Sequence, residues 1–415
     1  MAIAARVGKA FSYFYAVPWC MPAWGWGEFR AMIGCILTGR VLKGPCPQRF
    51  ADAVREHLGV KYALPMNRGR AAIRLALQAM GLGHTDEVIL PSYICPTVLE
   101  AVVGAGARPV FADVGADLHV TPETVRASMT AQTRCVIVAH LFGNAAPIDE
   151  IQRMLDGTGI HLIDDAAQSF GARCSGRLVG TFGTCGIISV GPGKALAGTA
   201  GGLLVTDDSR FFERAAAMSL MSLPQERTGD VLRRVLPFWV WRRFRRYTRP
   251  LGIFLERIIG PTCEPPCTPS AMSNLDGAIG LCQFRALGTN RSRRQRNANV
   301  LLQAVDEMRH WAITDISENG MIVKLVLVTP PQGPTASEII ALLGRAGIEC
   351  QRGFSPLHLK AEDALALPTT EAVWGRVVCV PVDVTYRGDV SRLSRGFGAL
   401  TSDRQDSTVM QAEVE

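Results

Sequence analysis

Between Val88 and Val205 the chain alternates short apolar runs with helix-like stretches, and most of the runs end on a polar residue. Val88-Ile89-Leu90 is the first run. Residues 109–112 end at Asp113, 135–139 at His140, and 161–163 at Asp164 and Asp165; 186–190 and 202–205 follow. Uninterrupted runs of this length suit strands buried on both faces, as in a parallel sheet. Residues 97–103 and 148–155 have helical spacing between them. The alternation predicts a largely parallel sheet covered by helices, with polar strand ends and turns placed where such sheets bind ligands.

At 415 residues the chain is too long for one small domain and suits two. With 48% apolar and 20% charged residues, it can bury a large core and is not a disordered chain. We read 1–45 as an N-terminal arm and 46–268 as a large α/β domain with an excursion near 228–268. Residues 269–400 read as a C-terminal α+β domain and 401–415 as a disordered polar tail. The twelve cysteines show no paired metal-type spacing, and Cys263 and Cys267 flank Glu-Pro-Pro without a nearby histidine. They read as reduced thiols of a cytoplasmic protein, with no metal site. The aromatic stretch 11–26 is broken by prolines and glycines and lacks a signal-peptide pattern. No apolar run reaches the ~18 residues that a spanning helix needs.

Two residues carry chemistry. Lys194 lies on the Gly/Pro-rich turn Gly191-Pro192-Gly193-Lys194 after a strand, and Asp165 ends an earlier strand 29 positions before it. A lysine so placed can form a Schiff base, and a carboxylate at a strand end can hold a protonated pyridine nitrogen. Pyridoxal phosphate chemistry needs that pair. Each alone is unremarkable: the lysine as a solvated side chain, the aspartate as a helix N-cap.

With the neighbouring motifs assembled, the chain resembles the DegT/StrS family of pyridoxal-phosphate-dependent aminotransferases over about residues 28–395. The segments that carry the resemblance are Arg68-Gly69-Arg70-Ala71-Ala72-Ile73, Asp86-Glu87-Val88-Ile89-Leu90-Pro91-Ser92, Pro109 to Asp113, and Ala139-His140-Leu141-Phe142-Gly143. They continue with Asp164 to Gln168, Ser189 to Lys194, and Gly201 to Thr206. It implies a fold-type-I enzyme: a large α/β/α domain on a mostly parallel seven-stranded sheet, plus a smaller α+β domain.

The resemblance also implies roles. Lys194 attaches the cofactor and shuttles a proton. Asp165 holds the ring nitrogen, and Gln168 contacts the ring oxygen. Backbone N–H groups of Gly69, Arg70 and Ala71 at a helix start, with the Ser189 hydroxyl, bind the phosphate. His140 lines the site near the ring, or is a hydrogen-bonded core histidine. His358 in Phe354-Ser355-Pro356-Leu357-His358 approaches the substrate. The sequence departs from the family in three places. Arg68 and Arg70 stand where Ser and Thr are usual. Cys95 stands where an aromatic often stacks on the ring, leaving Tyr93 or Cys95 to cover it. Pro269-Ser270-Ala271-Met272 lacks the asparagine that a partner subunit often supplies.

Seven arginines between Arg233 and Arg249 interleave with Phe238, Trp239, Trp241, Phe244 and Tyr247. The segment 232–259 reads as a helical excursion at a dimer interface with snorkelling arginines, or as a peripheral contact with the inner face of the membrane. No nucleic-acid partner is expected. The resemblance implies a homodimer with shared sites. It also implies transfer of an amino group, from glutamate, to a keto-sugar on a nucleotide diphosphate, for polysaccharide, lipopolysaccharide or antibiotic sugars. One alternative acts on a non-nucleotide or lipid-linked ketone. The other is a non-catalytic regulatory or scaffold homologue.

Overall fold

The computed structural model describes residues 17–240, 269–304, 311–360 and 366–383, save Pro18, Met21, Pro22, Leu223 and Gln225. The proposed tail, and residues 241–259 of the aromatic-basic segment, lie outside these residues. The main sheet comprises β1 (Tyr62–Met66), β2 (Glu87–Pro91), β3 (Arg108–Ala112), β4 (Thr133–Ala139) and β5 (His161–Asp165). A short hairpin, β6 (Arg173–Cys174) and β7 (Arg177–Leu178), intervenes before β8 (Cys185–Ser189) and β9 (Gly202–Thr206) complete it.

Across the sheet the order is β1-β9-β8-β5-β4-β2-β3. Strands β8, β5, β4, β2 and β3 run parallel, while β9 is antiparallel to both β8 and β1. The mostly parallel, seven-stranded α/β architecture is the expected one. Strands β2 and β9 are buried at every position, which is why their sequences are continuous apolar runs.

The first helices are α1 (Trp26–Leu37), α2 (Cys46–Leu58), α3 (Gly69–Ala79) and α4 (Pro96–Ala105). They are followed by α5 (Pro122–Ser128), α6 (Ile148–Leu155) and α7 (Ser209–Ser222). Helix α3 packs on β8, β9, α4 and α7, while α5 packs on α6 and β3. Its buried alanines and leucines let α3 lie close to the sheet. The closest approach is at Gly202, where a Cβ would come within 2.5 Å of the Arg68 carbonyl carbon and the Gly69 nitrogen. The start of α3 is thereby pressed against the first residue of β9, beside the sheet's polar strand ends.

Helix α8 (228–240) and α1 share a small core with α9 (Asn274–Arg285), built from Met32, Cys35, Val231, Val235, Leu275 and Ile279. A second core surrounds the antiparallel pair β10 (Lys324–Val328) and β11 (Val377–Pro381). Val17, α10 (Leu287–Ala304) and α11 (Ala336–Arg345) contribute to it. The expected helix over 275–287 is α9. The expected long helix over 291–308 begins earlier, at Leu287, directly after α9.

Polar links tie the main sheet to the elements beyond residue 350. Asp113 accepts the N–H groups of Thr369 and Thr370, at 3.1 and 2.7 Å, and the Thr370 hydroxyl at 2.6 Å. Those threonines open α12 (Pro368–Trp374). The Tyr93 hydroxyl donates to the Arg352 carbonyl at 2.8 Å.

Candidate active site

A cavity of about 200 Å³ opens at the C-terminal ends of the parallel strands. Its floor follows from strand pairing. Ala139 on β4 pairs in register with Asp165 on β5, and Asp165 with Ile187 on β8; Ser189 lies two residues further on the same face. All four border the cavity, as do Gly69, Arg70, Cys95, His140, Gln168 and Lys194.

Lys194 lies in the connection between the antiparallel strands β8 and β9, which is a turn held by its own backbone. The Lys194 N–H donates to the Gly191 carbonyl at 3.2 Å, and the Gly191 N–H donates to Leu196 at 3.0 Å. Asp165 is buried and accepts the Ala167 N–H at 3.0 Å. Burial pushes the Asp165 carboxyl above its usual range, and the Lys194 ammonium pulls against that rise. Gln168 accepts the Phe142 N–H on Oε1 at 3.2 Å, so its NH₂ group is the end left to donate into the cavity.

The first N–H groups of α3 meet no side-chain cap, since its N-cap residue is Arg68. The start of an eleven-residue helix without a side-chain cap presents backbone N–H groups and a positive dipole end to an anion. Ser189 completes the place. A Cβ on Gly69 would lie 3.0 Å from Ser189 Cβ and 3.1 Å from its Oγ, so glycine is what lets the hydroxyl reach the helix start. Arg68 and Arg70 add positive charge around this end of the cavity. Arg68 Nη1 donates to the Thr199 carbonyl at 3.4 Å, and the largely buried Arg70 guanidinium lies 3.9 Å from Glu100 of α4. Lysine, buried carboxylate, amide and an open helix terminus in one cavity fit pyridoxal phosphate.

Two expected residues are placed differently. Tyr93 is fully buried and does not border the cavity. Its ring packs against Phe142 and Phe354, and its hydroxyl is used by Arg352. Ile94 and Cys95 border the cavity instead. His358 also lies away from it. Its Nδ1 meets the Ser92 hydroxyl at 2.5 Å and its Nε2 meets Glu371 at 3.2 Å, so it latches the loop after β2 to α12. His140 borders the cavity, but both ring nitrogens are engaged: Nδ1 accepts the Ala146 N–H at 2.8 Å and Nε2 meets Asp164 at 2.8 Å. The ring is therefore the neutral Nε2–H tautomer and offers no polar atom to a ligand. Ile94, Thr97, Leu141 and Ile187 border the cavity without having been singled out. Strand parity gives Ile187 from its pairing with Asp165, once the register is known.

The fold is the one that solved aminotransferases share, and the residues lining the cavity fit pyridoxal phosphate. The chain belongs to the DegT/DnrJ/EryC1/StrS aminotransferase family, whose model matches residues 27–392. An L-glutamine:2-deoxy-scyllo-inosose aminotransferase of Streptomyces paromomycinus is 35% identical over 208 residues, or 48% of this chain and 49% of that protein. The chain thus spans about half the length of that relative. The spore coat polysaccharide biosynthesis protein SpsC of Bacillus subtilis is 26% identical over 349 residues, covering 83% of this chain and 84% of SpsC. The solved aminotransferase TlmJ of Streptoalloteichus hindustanus shares the fold with a TM-score of 0.75 and 23% identity, over 93% of this chain and all of that one.

Proposed function

We propose that the chain transfers an amino group from an amino acid, glutamate in the first instance, to a keto-sugar carried on a nucleotide diphosphate. The observation that carries this reading is that Lys194, Asp165 and the open start of α3 face one cavity. When bound, pyridoxal phosphate supplies the carbonyl that accepts the amine and the ring that takes up electrons. Lys194 would be the attaching amine, and its Nζ would be the base that takes up and returns a proton. Asp165, a buried carboxyl bordering the cavity, would keep a proton on the ring nitrogen. The Gln168 NH₂ orients the ring through its oxygen. The N–H groups of Gly69, Arg70 and Ala71, the Ser189 hydroxyl and the charge of Arg70 hold the phosphate. Ile94 and Cys95, which border the cavity, would pack against the ring and exclude water.

A second reading replaces the nucleotide sugar with a free cyclic ketone and glutamate with glutamine. The 35% identity to the scyllo-inosose aminotransferase over 208 residues favours it. The two are separated by loading the enzyme with each amino donor and then offering it a keto-sugar nucleotide or 2-deoxy-scyllo-inosose. The product amine is read by mass spectrometry. Turnover of the cyclitol alone would sink the nucleotide-sugar reading.

We also propose that the chain works as a homodimer. The α1 and α8 face exposes Trp26, Leu37, Leu236 and Val240, and Phe29 stacks on Trp239 within it. Such a patch is suited to an apolar partner. The same face bears on the alternative reading of 232–259 as a membrane contact. Among the described residues no helix is long and apolar enough to cross a membrane. Sedimentation gives the mass in solution. Flotation with anionic vesicles at low and high salt tests membrane contact, and the absence of binding at low salt would refute it.

A further inference from the structure

A buried guanidinium lies directly beneath the lysine turn. Arg294 on α10 is the largest fully buried side chain among the described residues. Its Nη2 donates to the Lys194 carbonyl and its Nη1 to the Ala195 carbonyl, both at 3.3 Å. The same Nη2 is 2.9 Å from Asp383, two residues beyond β11. The other oxygen of Asp383 takes Arg293 at 2.6 Å, and Asn297 donates to the Val382 carbonyl at 2.8 Å. Residues of α10 and β11 build the second core, so this cluster seats that core on the backbone of the reactive lysine.

A buried arginine is costly unless its charge and its donors are matched. Here the carboxylate matches the charge and the two Nη groups donate to the carbonyls of the Lys194–Ala195 and Ala195–Leu196 peptides, while Nε is buried without a hydrogen-bond partner. Fixing those peptide planes fixes the direction in which the Lys194 side chain leaves the turn. The turn has two backbone hydrogen bonds of its own, but Gly191 and the left-handed Gly193, at φ +73°, leave it points of backbone freedom on which an outside anchor can act. We propose that Arg294, oriented by Asp383, is a positioning residue that sets the reach of Lys194 into the cavity. Seating of the second core therefore governs the reactivity of the amine. This inference rests on the aminotransferase reading for its chemical consequence, though not for its structural one.

The test uses full-length Arg294→Met, Arg294→Lys and Asp383→Asn proteins. Hydrogen exchange of 191–196 is read without cofactor, with β2 amides as the internal control. Arg294→Met is expected to speed exchange in the turn at least ~10-fold while leaving β2 unchanged. With cofactor, the rate of forming the borohydride-reducible link to Lys194 is expected to fall by ~10- to 100-fold, the scale of a misplacement of about 1 Å. Equilibrium affinity for the cofactor phosphate and KM for the amino donor should stay near wild type. Arg294→Lys, which keeps one charged donor, should recover part of the rate. If Arg294→Met lowers the melting temperature but leaves both turn exchange and link formation at wild-type rates, the residue is only structural and the proposal fails. If Arg294→Met does not fold, the same two readings on Arg294→Lys and Asp383→Asn decide, with wild-type rates in both overturning the proposal. A wild-type protein that forms no link overturns the aminotransferase reading instead, and the cofactor-free exchange still decides whether Arg294 holds the turn.

Discussion

Asp164 and Asp165 are consecutive on β5, and their carboxylates serve opposite sides of it. Asp165 borders the cavity, level with Ala139 and Ile187. Asp164 meets His140 Nε2 at 2.8 Å and accepts the N–H groups of Gly180 and Phe182 at 2.6 and 3.0 Å. One carboxylate is committed to architecture and the other is kept for a ligand. Asp165→Asn should fold at least as well as wild type at neutral pH, because burial disfavours the charge it removes. It should lose activity by ~100-fold or more. Asp164→Asn should instead lower stability by about 1–3 kcal/mol, by weakening bonds to buried donors. Melting curves beside kcat separate the two.

Lys194→Ala should leave the melting temperature within a few degrees of wild type, since the side chain borders a cavity rather than the core. Its borohydride-reducible link to the cofactor should vanish, and turnover should fall by at least ~100-fold. An alanine variant with the wild-type absorbance spectrum would show that another group attaches the cofactor.

The contact between Gly69 and Ser189 predicts a paired effect. Gly69→Ala places a methyl group 3.0 Å from Ser189 Cβ, and relieving that overlap costs about 1–3 kcal/mol. Cofactor affinity should fall by about tenfold or more. Gly69→Ala combined with Ser189→Gly should lose less affinity than the two single changes added together. Titration of cofactor into each variant gives the coupling, and strict additivity would place the phosphate elsewhere.

Asp383 gives a pH signature. Burial raises its carboxyl, but the Arg294 and Arg293 guanidiniums outweigh burial and hold it below its ordinary 3.8. A carboxyl depressed in the folded state stabilises fully above its unfolded value and loses that contribution as pH falls through the folded one. The melting-temperature gap between wild type and Asp383→Asn should therefore be flat from about pH 7 to 5. It should narrow below ~3.8, as the wild-type carboxylate gains its proton. A gap that widens in acid would mean the arginines do not hold that carboxylate.

Much of the site was legible because it lies on strand ends. Lys194, Asp165 and Gln168 follow apolar runs whose termini the pattern marks, and the open start of α3 follows from Arg68-Gly69-Arg70. Tyr93 and His358 were misplaced for a physical reason. Both depend on which way a side chain turns where the loop after β2 meets the elements beyond residue 350, and no periodicity encodes that. Arg294 was hidden in a basic helix, among Arg291, Arg293 and Arg296, where a buried guanidinium and a solvated one look alike in sequence. The reversal of β9 was equally invisible. Its five buried residues read the same in either direction, and only the short 190–201 connection betrays a hairpin.

That hairpin gives the site an order of assembly. Lys194 hangs on a local connection between neighbouring strands, which needs little chain closure to form. Its carboxylate partner reaches the same cavity through parallel crossovers, and its carbonyl is gripped by Arg294, 100 residues further along, which Asp383 orients from 189 residues along. The reactive amine thus takes its neighbourhood from a local connection and its geometry from residues far along the chain. A partly folded chain therefore carries the lysine without the chemistry, and cofactor attachment can serve as a clock for the last step of folding.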